Sequence, residues 1–368
     1  MIGKLGLVGG VFVAWLLTFL VMGGDVMPSI SADDPTPAHQ VGVARPPVSI
    51  APTPTATGDP AATATDGPGQ AATAAEQLAG SAPIAGQTLV DRPNERRAGP
   101  PVLTFRMATF NALGASHTRK GTGRKQKASG YARTARGGQY VMDNNIDLVG
   151  FQEMQAEQRS AFMNATGGRF ALYPGNALRS MDGENSIAYR TDTWELVKAD
   201  SVPIPYFGGR PRNMPVILLR NKQTGITAYF TNFHNPADTK EYGRQARWRA
   251  AAKTREVALF SDLRDDGYPV FVTGDMNEQQ SWFCSVAGPG DLKAAAGGEG
   301  GRDGCSVAGG FRIDWIAGSH DVTFSNYRED RGGVVAWMTD HPIAITDVTI
   351  DAANFPKSVT QSAPGATN

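Results

Sequence analysis

Residues 28–100 are poor in large apolar side chains, which are almost absent from their central stretch, and this limits where the chain can fold. The segment is rich in Pro, Ala, Thr and Gly, as in PTPTATGDPAATATDGPGQAATAAEQ. Because it cannot bury enough apolar surface to offset the entropy lost on ordering, we predict a flexible, partly extended linker. In this chain of 368 residues, we predict that 101–352 form the folded domain, because this region has a suitable composition. Residues 353–368 are predicted to be a flexible polar tail.

An uncharged apolar run from Leu5 to Gly24, preceded by Lys4, stands before the linker. Its length matches what a helix needs to cross the core of a bilayer. Acidic residues follow the run, so the distribution of charge predicts a cytoplasmic N-terminus and export of everything downstream. We interpret residues 1–27 as a signal-anchor helix or a cleaved signal peptide. The folded domain is therefore expected outside the cytoplasm, held at the cell membrane through the N-terminal helix or secreted.

The two cysteines, Cys284 and Cys305, bear on the same question. In an oxidising compartment they would form one disulfide around a Gly-rich loop, and the alternative is a pair of unpaired, partly buried thiols. Without a histidine nearby they do not supply the ligands of a tetrahedral zinc site.

The formal net charge is zero, so the overall charge predicts no binding partner, and only local clusters of charge can indicate one. No protein partner can be inferred, and a monomer is expected.

Apolar runs of strand length, bounded by turn residues, recur between residues 101 and 352. They are Leu103–Phe110, Asp147–Phe151, Ser186–Arg190, Pro215–Leu219, Ile226–Phe233, Pro269–Thr273, Arg312–Ala317 and Ile343–Ile350. Helical patterns intervene at Gln139–Asn145, Gln155–Ala165 and Lys240–Arg264. Strands that alternate irregularly with helices predict a layered α/β sandwich.

Polar residues cluster at the ends of these strands, and one of them, Asp314, lies inside a predicted strand. They are Asn111, Glu153, His234, Asp275, Asn277, Asp314, Asp340 and His341. Each alone has a plain alternative as a turn residue or a solvated side chain. Together, hard oxygen ligands without cysteine suit Mg²⁺ or Mn²⁺. Two histidines can stabilise charge on phosphorus, and an Asp can orient or deprotonate the attacking water.

The order of these residues, with GDMN and TDHP in the same chain and QE after a strand, resembles the endonuclease/exonuclease/phosphatase superfamily over residues 103–350. This group includes pancreatic deoxyribonuclease, abasic-site endonucleases, sphingomyelinases and inositol polyphosphate phosphatases. The resemblance implies two packed mixed β-sheets flanked by helices, and a hydrolase that uses Mg²⁺ or Mn²⁺ to cleave phosphate esters.

The resemblance also implies a role for each residue. Glu153 would be the main metal ligand, with Asn111 close to the metal and Asp340 at the metal or its water shell. Asp275 would position or deprotonate the water, and Asn277 would hold a phosphate oxygen. His234 and His341 would bond the scissile phosphate, with Asp314 orienting His341. Glu184 or Asn185 could be the partner of His234, and Arg212 is a candidate phosphate ligand.

Local charge is the feature that indicates which kind of phosphate ester is the substrate. No acidic residue occurs from Asn111 to Met142, and this stretch is strongly basic. Its basic residues are His117, Arg119, Lys120, Arg124, Lys125, Lys127, Arg133 and Arg136. A basic loop that starts at the site favours a nucleic-acid backbone, with Lys120, Arg124, Lys125 and Lys127 as substrate-binding residues.

Other readings remain open. The same stretch would also suit a solvated loop or a patch attracted to anionic lipid, and the substrate could be a lipid phosphodiester, as for sphingomyelinases, or a small phosphate ester. Against the nuclease reading, Gln155 and Gln158 stand after Glu153, where duplex-cutting relatives often carry a groove-reading basic residue. A non-catalytic surface module would be expected to have lost some of the polar residues named above, and all of them are present.

Overall fold

The computed structural model describes residues 99–119, 128–301, 304–310 and 312–359. The expected N-terminal helix, the linker up to residue 98, the end of the tail from residue 360, and Lys120, Arg124, Lys125 and Lys127 lie outside the described residues. Within the described part, no helix is both long and apolar enough to span a bilayer.

Two β-sheets form the centre of the domain. In the described part of the chain the strands are β1 (Val102–Asn111), β2 (Leu148–Gln152), β3 (Phe170–Tyr173), β4 (Ile187–Arg190), β5 (Trp194–Pro205), β6 (Pro211–Asn221), β7 (Thr227–His234), β8 (Val270–Asp275), β9 (Leu292–Ala294), β10 (Gly298–Gly301), β11 (Gly304–Val307), β12 (Asp314–Ser319), β13 (Thr323–Asp330) and β14 (Ile343–Asp351). The first sheet has the order β13-β14-β1-β2-β4-β3, and the second has the order β11-β10-β9-β12-β8-β7-β6-β5. Both sheets are mixed, because β1 and β2 are parallel in the first, β7 and β8 are parallel in the second, and the other pairs are antiparallel.

Helices cover the outer face of each sheet. They are α1 (Gly130–Asp143), α2 (Ala156–Ala165), α3 (Ala246–Asp265), α4 (Gln280–Gly290) and α5 (Gly333–Met338). Side chains of α1, α2 and α5 share a hydrophobic cluster with the first sheet, and those of α3 and α4 share one with the second. A third cluster lies between the sheets, where the Phe105 ring makes edge-on contacts with Trp194, Phe230 and Phe271. The predicted layered α/β sandwich of two mixed sheets flanked by helices is confirmed.

Each predicted strand overlaps an observed strand, because central strands are buried on both faces and their sequences are continuously apolar. The predicted runs do not include β3, β5, β9, β10, β11 and β13. Of these, β3, β5, β11 and β13 form the edges of the two sheets, and β5 and β13 carry many polar, exposed residues. Helix α3 begins at Ala246, six residues later than predicted, because the chain before it turns at Gly243, where φ is +64°.

A disulfide joins Cys284 on α4 to Cys305 on β11, with 5.4 Å between their Cα atoms. The two residues are 21 positions apart in the chain. The bond therefore fastens the hairpin of β10 and β11 at the edge of the second sheet to the helix that covers this sheet. A cross-link that closes a loop of this length stabilises a fold by about 3 kcal/mol.

One carboxyl group, Glu256, is fully buried where α3 meets α4. Trp282 Nε1 donates to its Oε2 at 2.6 Å, and Asn235 Nδ2 donates to its Oε1 at 2.9 Å. Burial raises the pKa of Glu256 to about 7, although these two hydrogen bonds act in the opposite direction. Asn235 directly follows His234, so the hydrogen bond between Asn235 and Glu256 helps to fix the chain at the end of β7.

The buried Glu256 predicts a pH dependence of stability. A carboxyl group whose pKa is higher in the folded than in the unfolded chain stabilises the fold fully below the unfolded value of 4.5, and this is lost as the pH rises towards 7. The loss amounts to about 3 kcal/mol at most. We expect the free energy of unfolding, measured with urea from pH 5 to pH 7.5, to fall more steeply in the wild type than in Glu256→Gln. Parallel curves for the two proteins would contradict this.

Candidate functional site

The topology brings the predicted site residues to one edge of the sandwich. Asn111 and His234 end β1 and β7, Asp275 ends β8, and Glu153 comes directly after β2. These four strands form two parallel pairs, so each pair ends at one edge of its sheet. Strand β12 runs antiparallel to β8 and begins with Asp314, which is paired with Asp275. Strand β14 runs antiparallel to β1 and begins two residues after His341.

Asn111 connects the two sheets at this edge. Its Nδ2 donates to Glu153 Oε1 at 3.1 Å and to Asp275 Oδ2 at 3.0 Å, while its Oδ1 accepts from the Leu113 backbone N–H. The amide group therefore presents its hydrogens, and not its oxygen, to the two carboxylates. Thr339 Oγ1 donates to the Asn111 carbonyl at 2.7 Å, which holds the end of β1 against the loop before β14.

Glu153 lies in a ring of donors. Its Oε2 accepts from the Gly114 backbone N–H at 2.9 Å and lies 3.2 Å from His117 Nε2. Burial alone would raise the pKa of the Glu153 carboxyl, but the hydrogen bond from His117, the electrostatic influence of the nearby His234 ring and the Gly114 N–H together hold this pKa well below its usual range. Glu153 also has φ of +58°, a conformation that a non-glycine residue adopts at a cost. The carboxylate is therefore ionised and fixed in direction.

The Asp275 carboxylate lies between two imidazole rings. Its Oδ2 is 3.7 Å from Nε2 of His234 and 3.7 Å from Nε2 of His341. Its Oδ1 accepts from the Asn277 backbone N–H at 2.9 Å. Burial raises the pKa of Asp275 to about 6, and the charge of Asp314 adds to this effect. The group is therefore suited to accept a proton near neutral pH.

The two histidines have opposite electrostatic settings. His341 Nδ1 lies 3.0 Å from Asp314 Oδ2 and 3.1 Å from Oδ1. Burial would lower the pKa of His341, but the hydrogen bond and charge of Asp314, with Asp275 and Asp340, raise it to about 10. Burial lowers the pKa of His234, which keeps this ring neutral. At pH 7 the site thus contains one imidazolium and one neutral imidazole.

The partner of His234 differs from the expectation. The Tyr206 hydroxyl lies 3.2 Å from His234 Nδ1, in the place considered for Glu184 or Asn185. Glu184 Oε2 instead accepts from Arg212 Nη1 at 3.1 Å, and the Arg212 guanidinium lies 4.2 Å from the centre of the Tyr206 ring. Asn185 is buried, and its backbone carbonyl accepts from Asn232. Tyr206 takes the position because β5 brings it to the end of β7, a long-range contact that no local pattern reveals.

Asn277 and Asp340 occupy the borders of the site. Asn277, with φ of +49°, donates through Nδ2 to the Asn235 carbonyl at 2.9 Å, and its second amide hydrogen can serve a ligand. Asp340 is exposed beside a cavity of about 290 Å³, whose lining includes His341, Thr339 and Arg331. Asp340 is therefore placed for a contact through water more than for a buried one.

Several residues that support the site were not predicted to do so. Arg133, assigned to the basic stretch, is buried and donates to the carbonyls of Ala112, Leu113 and Met338. Gln158 is also buried and accepts from the Ala115 backbone N–H at 2.8 Å. His117 bonds Glu153, and the sequence offered only its position six residues after Asn111 as a signal. These contacts fix the loop after β1, so the basic stretch is partly structural.

The donor set fits a divalent cation. Among the residues described, one group of three ionisable side chains has ligand atoms within 4.8 Å of one another, namely Asp275, Asp314 and His341. Glu153 joins this group through the Asn111 amide. Asp275 and Asp314 both contact the His341 imidazolium, and Glu153 adds a third carboxylate at the same edge. This buried place therefore carries net negative charge, and oxygen-rich sites of this kind suit hard cations.

The same fold occurs in known proteins. The profile described as the endonuclease/exonuclease/phosphatase family matches residues 108–341. No curated protein gave a significant sequence match. A protein of this family from Bacteroides thetaiotaomicron has 17% identity and a TM-score of 0.53, with 70% of this chain and 99% of that chain covered. A family member from Bacteroides vulgatus has 17% identity and a TM-score of 0.51, with 67% and 98% covered.

The human Nocturnin catalytic domain, solved with bound sulfate anion, has 15% identity and a TM-score of 0.52, with 68% of this chain and 97% of that chain covered. Identities of this size establish the fold, whereas the profile spans most of the described domain and establishes the family. The chain belongs to the endonuclease/exonuclease/phosphatase family, whose members are metal-dependent hydrolases of phosphate esters.

Proposed function

We propose that this protein is a phosphodiesterase that uses Mg²⁺ or Mn²⁺ to hydrolyse nucleic acid outside the cytoplasm. The observation that carries the proposal is the connected set of side chains around Asp275. It consists of Asn111, Glu153, His234, Asp275, Asp314 and His341. These groups comprise a fixed carboxylate, a carboxyl with a pKa near neutral and two imidazoles, which is what hydrolysis of a phosphodiester requires.

Glu153 is the proposed metal ligand, with Asn111 orienting its carboxylate and Asp340 in the water shell. When bound, the metal would act as a Lewis acid on a phosphate oxygen. Asp275 is the proposed base, because its pKa of about 6 leaves it ionised at neutral pH and still able to take a proton from water. The Asn277 N–H and the Asn111 amide fix both of its oxygens, so its direction is set before substrate arrives.

The two imidazoles are proposed to bind the scissile phosphate through Nε2. His341 donates as a cation, because Asp314 occupies its Nδ1 and raises its pKa. His234 is neutral, and a hydroxyl group that donates to Nδ1 would leave the proton on Nε2 and direct it into the site. Arg212 and Asn277 are proposed to bind further phosphate oxygens. Glu184 and Asn185 hold this region, Glu184 through its ion pair with Arg212.

Nucleic acid is the proposed substrate because of the basic stretch after Asn111. His117 touches Glu153, and Arg119 is exposed at the last described position before residues 120–127. The segment from 120 to 127 contains Lys120, Arg124, Lys125 and Lys127 and no acidic residue. Because this positive charge begins close to the proposed reacting phosphate, it suits a substrate that carries further phosphates on both sides of the cleaved bond, as a nucleic acid does.

The location outside the cytoplasm is proposed from two independent features. The apolar run at residues 5–24 has the composition of an export signal or anchor. The disulfide between Cys284 and Cys305 is of a kind that persists in oxidising compartments and is rare in the cytosol.

A substrate panel tests the proposal. Supercoiled plasmid, single-stranded RNA, sphingomyelin vesicles and a small phosphomonoester are each incubated with the protein in Mg²⁺ and in EDTA. We expect Mg²⁺-dependent cleavage of the nucleic acids and none in EDTA. Turnover of sphingomyelin or of the phosphomonoester alone would overturn the nuclease proposal and leave the family assignment intact.

The proposed base and phosphate ligand predict large losses of activity. We expect Asp275→Asn and His341→Ala each to lower kcat on plasmid by about 10²- to 10⁴-fold, because each removes a group that acts on the transition state. The matched controls are Asp200→Asn, which changes an exposed carboxylate on β5, and His320→Ala, which lies directly after β12 at the end opposite Asp314. Thermal unfolding checks that the variants are folded. Near-normal turnover would remove that residue from its role.

The proposed ligand role of Glu153 predicts a change in metal dependence. Glu153→Gln keeps the shape of the side chain but removes the charge, so we expect at least a tenfold higher Mg²⁺ concentration at half-maximal activity. The measurement is a metal titration at saturating plasmid, with Gln155→Glu as a control that alters charge two residues away. A curve that overlays that of the wild type would contradict the assignment.

The basic segment predicts a dependence on salt. Replacing Lys120, Arg124, Lys125 and Lys127 by Gln should raise KM for DNA and flatten the plot of log KM against log salt, by about 0.9 for each phosphate that the segment no longer neutralises. The control replaces Lys198, Lys222, Arg264 and Lys357, which are exposed elsewhere. An equal change in the control would show that only net charge matters.

A further inference from the structure

A line of aromatic rings leads from His234 to the surface. The Tyr206 ring lies 5.5 Å from the His234 ring and 4.5 Å from the Phe207 ring. Phe207 in turn stacks on Tyr242, with 4.6 Å between ring centres and 11° between ring planes. Tyr242, the last of these rings, is 40% exposed. The stack therefore starts at a proposed phosphate ligand and ends in solvent.

The loops that carry these rings are tied together. Gln245 is buried, accepts from the Gly208 backbone N–H at 3.1 Å and donates to the Tyr242 carbonyl at 2.5 Å. Trp248 covers the same turn, since a Cβ atom at Gly209 would lie 2.5 Å from its ring. The rings of Phe207, Tyr242 and Trp248, which we name the aromatic ledge, are thus held in place by a buried amide and close packing. A surface that is ordered beforehand binds a ligand with little further loss of entropy.

Positive charge accompanies the aromatic ledge. The exposed Arg247 lies over the Trp248 ring at 4.3 Å. Glu241 raises the pKa of the Tyr242 hydroxyl through a hydrogen bond, and the nearby Arg210 acts in the opposite direction. One acidic and two basic side chains therefore border the aromatic ledge. Stacked rings with arginines beside them are the means by which proteins bind unpaired bases and the phosphates between them.

From this arrangement we infer that the aromatic ledge is a subsite for an unpaired nucleobase of the strand that carries the scissile phosphate, so that single-stranded nucleic acid is the preferred substrate. In a duplex the bases are stacked on one another and cannot reach a protein ring. The inference rests on the proposed nuclease function and adds the strandedness of the substrate.

The test is equilibrium binding of the full chain in EDTA, where hydrolysis is stopped. Fluorescence anisotropy reports binding to a labelled single-stranded oligonucleotide and to a duplex of the same length. We expect the single strand to bind more tightly. Tyr242→Phe should bind it as the wild type does, whereas Tyr242→Leu and Tyr242→Ala should bind it about tenfold more weakly, which is the effect of losing one stacked base.

The leucine variant separates stacking from simple apolar contact. If Tyr242→Leu binds like the wild type, or if the duplex binds as tightly as the single strand, the inference is overturned. A different outcome would favour a lipid surface and overturn the inference. In it, the wild type and Tyr242→Leu both bind phosphatidylserine vesicles, and no variant changes the affinity for the oligonucleotide. Tyr131→Leu, which removes a tyrosine that is 45% exposed on α1, is the matched control, and an equal loss there would also overturn it.

Failure of the inference can be distinguished from failure of the proposed function. If the wild type cleaves nucleic acid but the variants of Tyr242 bind alike, the nuclease proposal stands and the aromatic ledge is not a subsite. If the wild type cleaves no nucleic acid in the substrate panel, the proposed function itself is wrong, and the inference is overturned with it.

Discussion

The buried negative charge of Asp275, where the two sheets meet, is the constraint around which the site is arranged. A carboxylate removed from water is costly unless hydrogen bonds and opposite charges surround it. Both of its oxygens accept hydrogen bonds, from Asn111 and from the Asn277 backbone, and two imidazoles face it at equal distances. Even so, the pKa of Asp275 stays raised. The hydrogen bonds and imidazoles therefore do not fully compensate for the burial of this carboxylate. Its raised pKa makes it a suitable base, and its uncompensated negative charge attracts a cation to the pocket.

The same constraint separates the roles of the two histidines. They are equally far from Asp275, so their difference has other causes. The Asp314 carboxylate at Nδ1 makes His341 a cation, while burial, with no carboxylate at Nδ1, leaves His234 neutral. This difference supports the proposal that the two histidines act as a charged and an uncharged donor towards one phosphate group.

The positions of these side chains depend on strained backbone conformations and on hydrogen bonds and ion pairs from residues outside the site. Three residues at or next to the site have positive φ without being glycine, namely Leu113, Glu153 and Asn277. Such conformations persist only where surrounding contacts enforce them, as Arg133 does by donating to the Leu113 carbonyl. Arg249 and Lys253 on α3 likewise form ion pairs with Glu278, directly after Asn277. Basic residues of this helix thus brace the loop after β8.

Much of the architecture was readable from local patterns. The buried central strands are continuous apolar runs, and polar residues at their ends point to a shared edge whenever strands are parallel. Edge strands such as β5 and β13 were not readable, because solvent on one side permits polar side chains. Tyr206, directly after β5, was missed as a site residue for a different reason. Its contact with His234 joins residues 28 positions apart and depends on how β5 pairs with β6 and β6 with β7.

By itself, the sequence determined the family, the layered class of fold and the kinds of side chain available for chemistry, since these follow from residue types and their order along the chain. Only the tertiary structure decided which of them touch. It placed Arg212 with Glu184 and Tyr206 with His234, and it turned Arg133 inward from a stretch that looked like a binding loop. The physical reason is that hydrogen bonds and charge interactions act over a few ångströms, whereas the residues that meet here are separated by as many as 228 positions and become neighbours only when both sheets have formed.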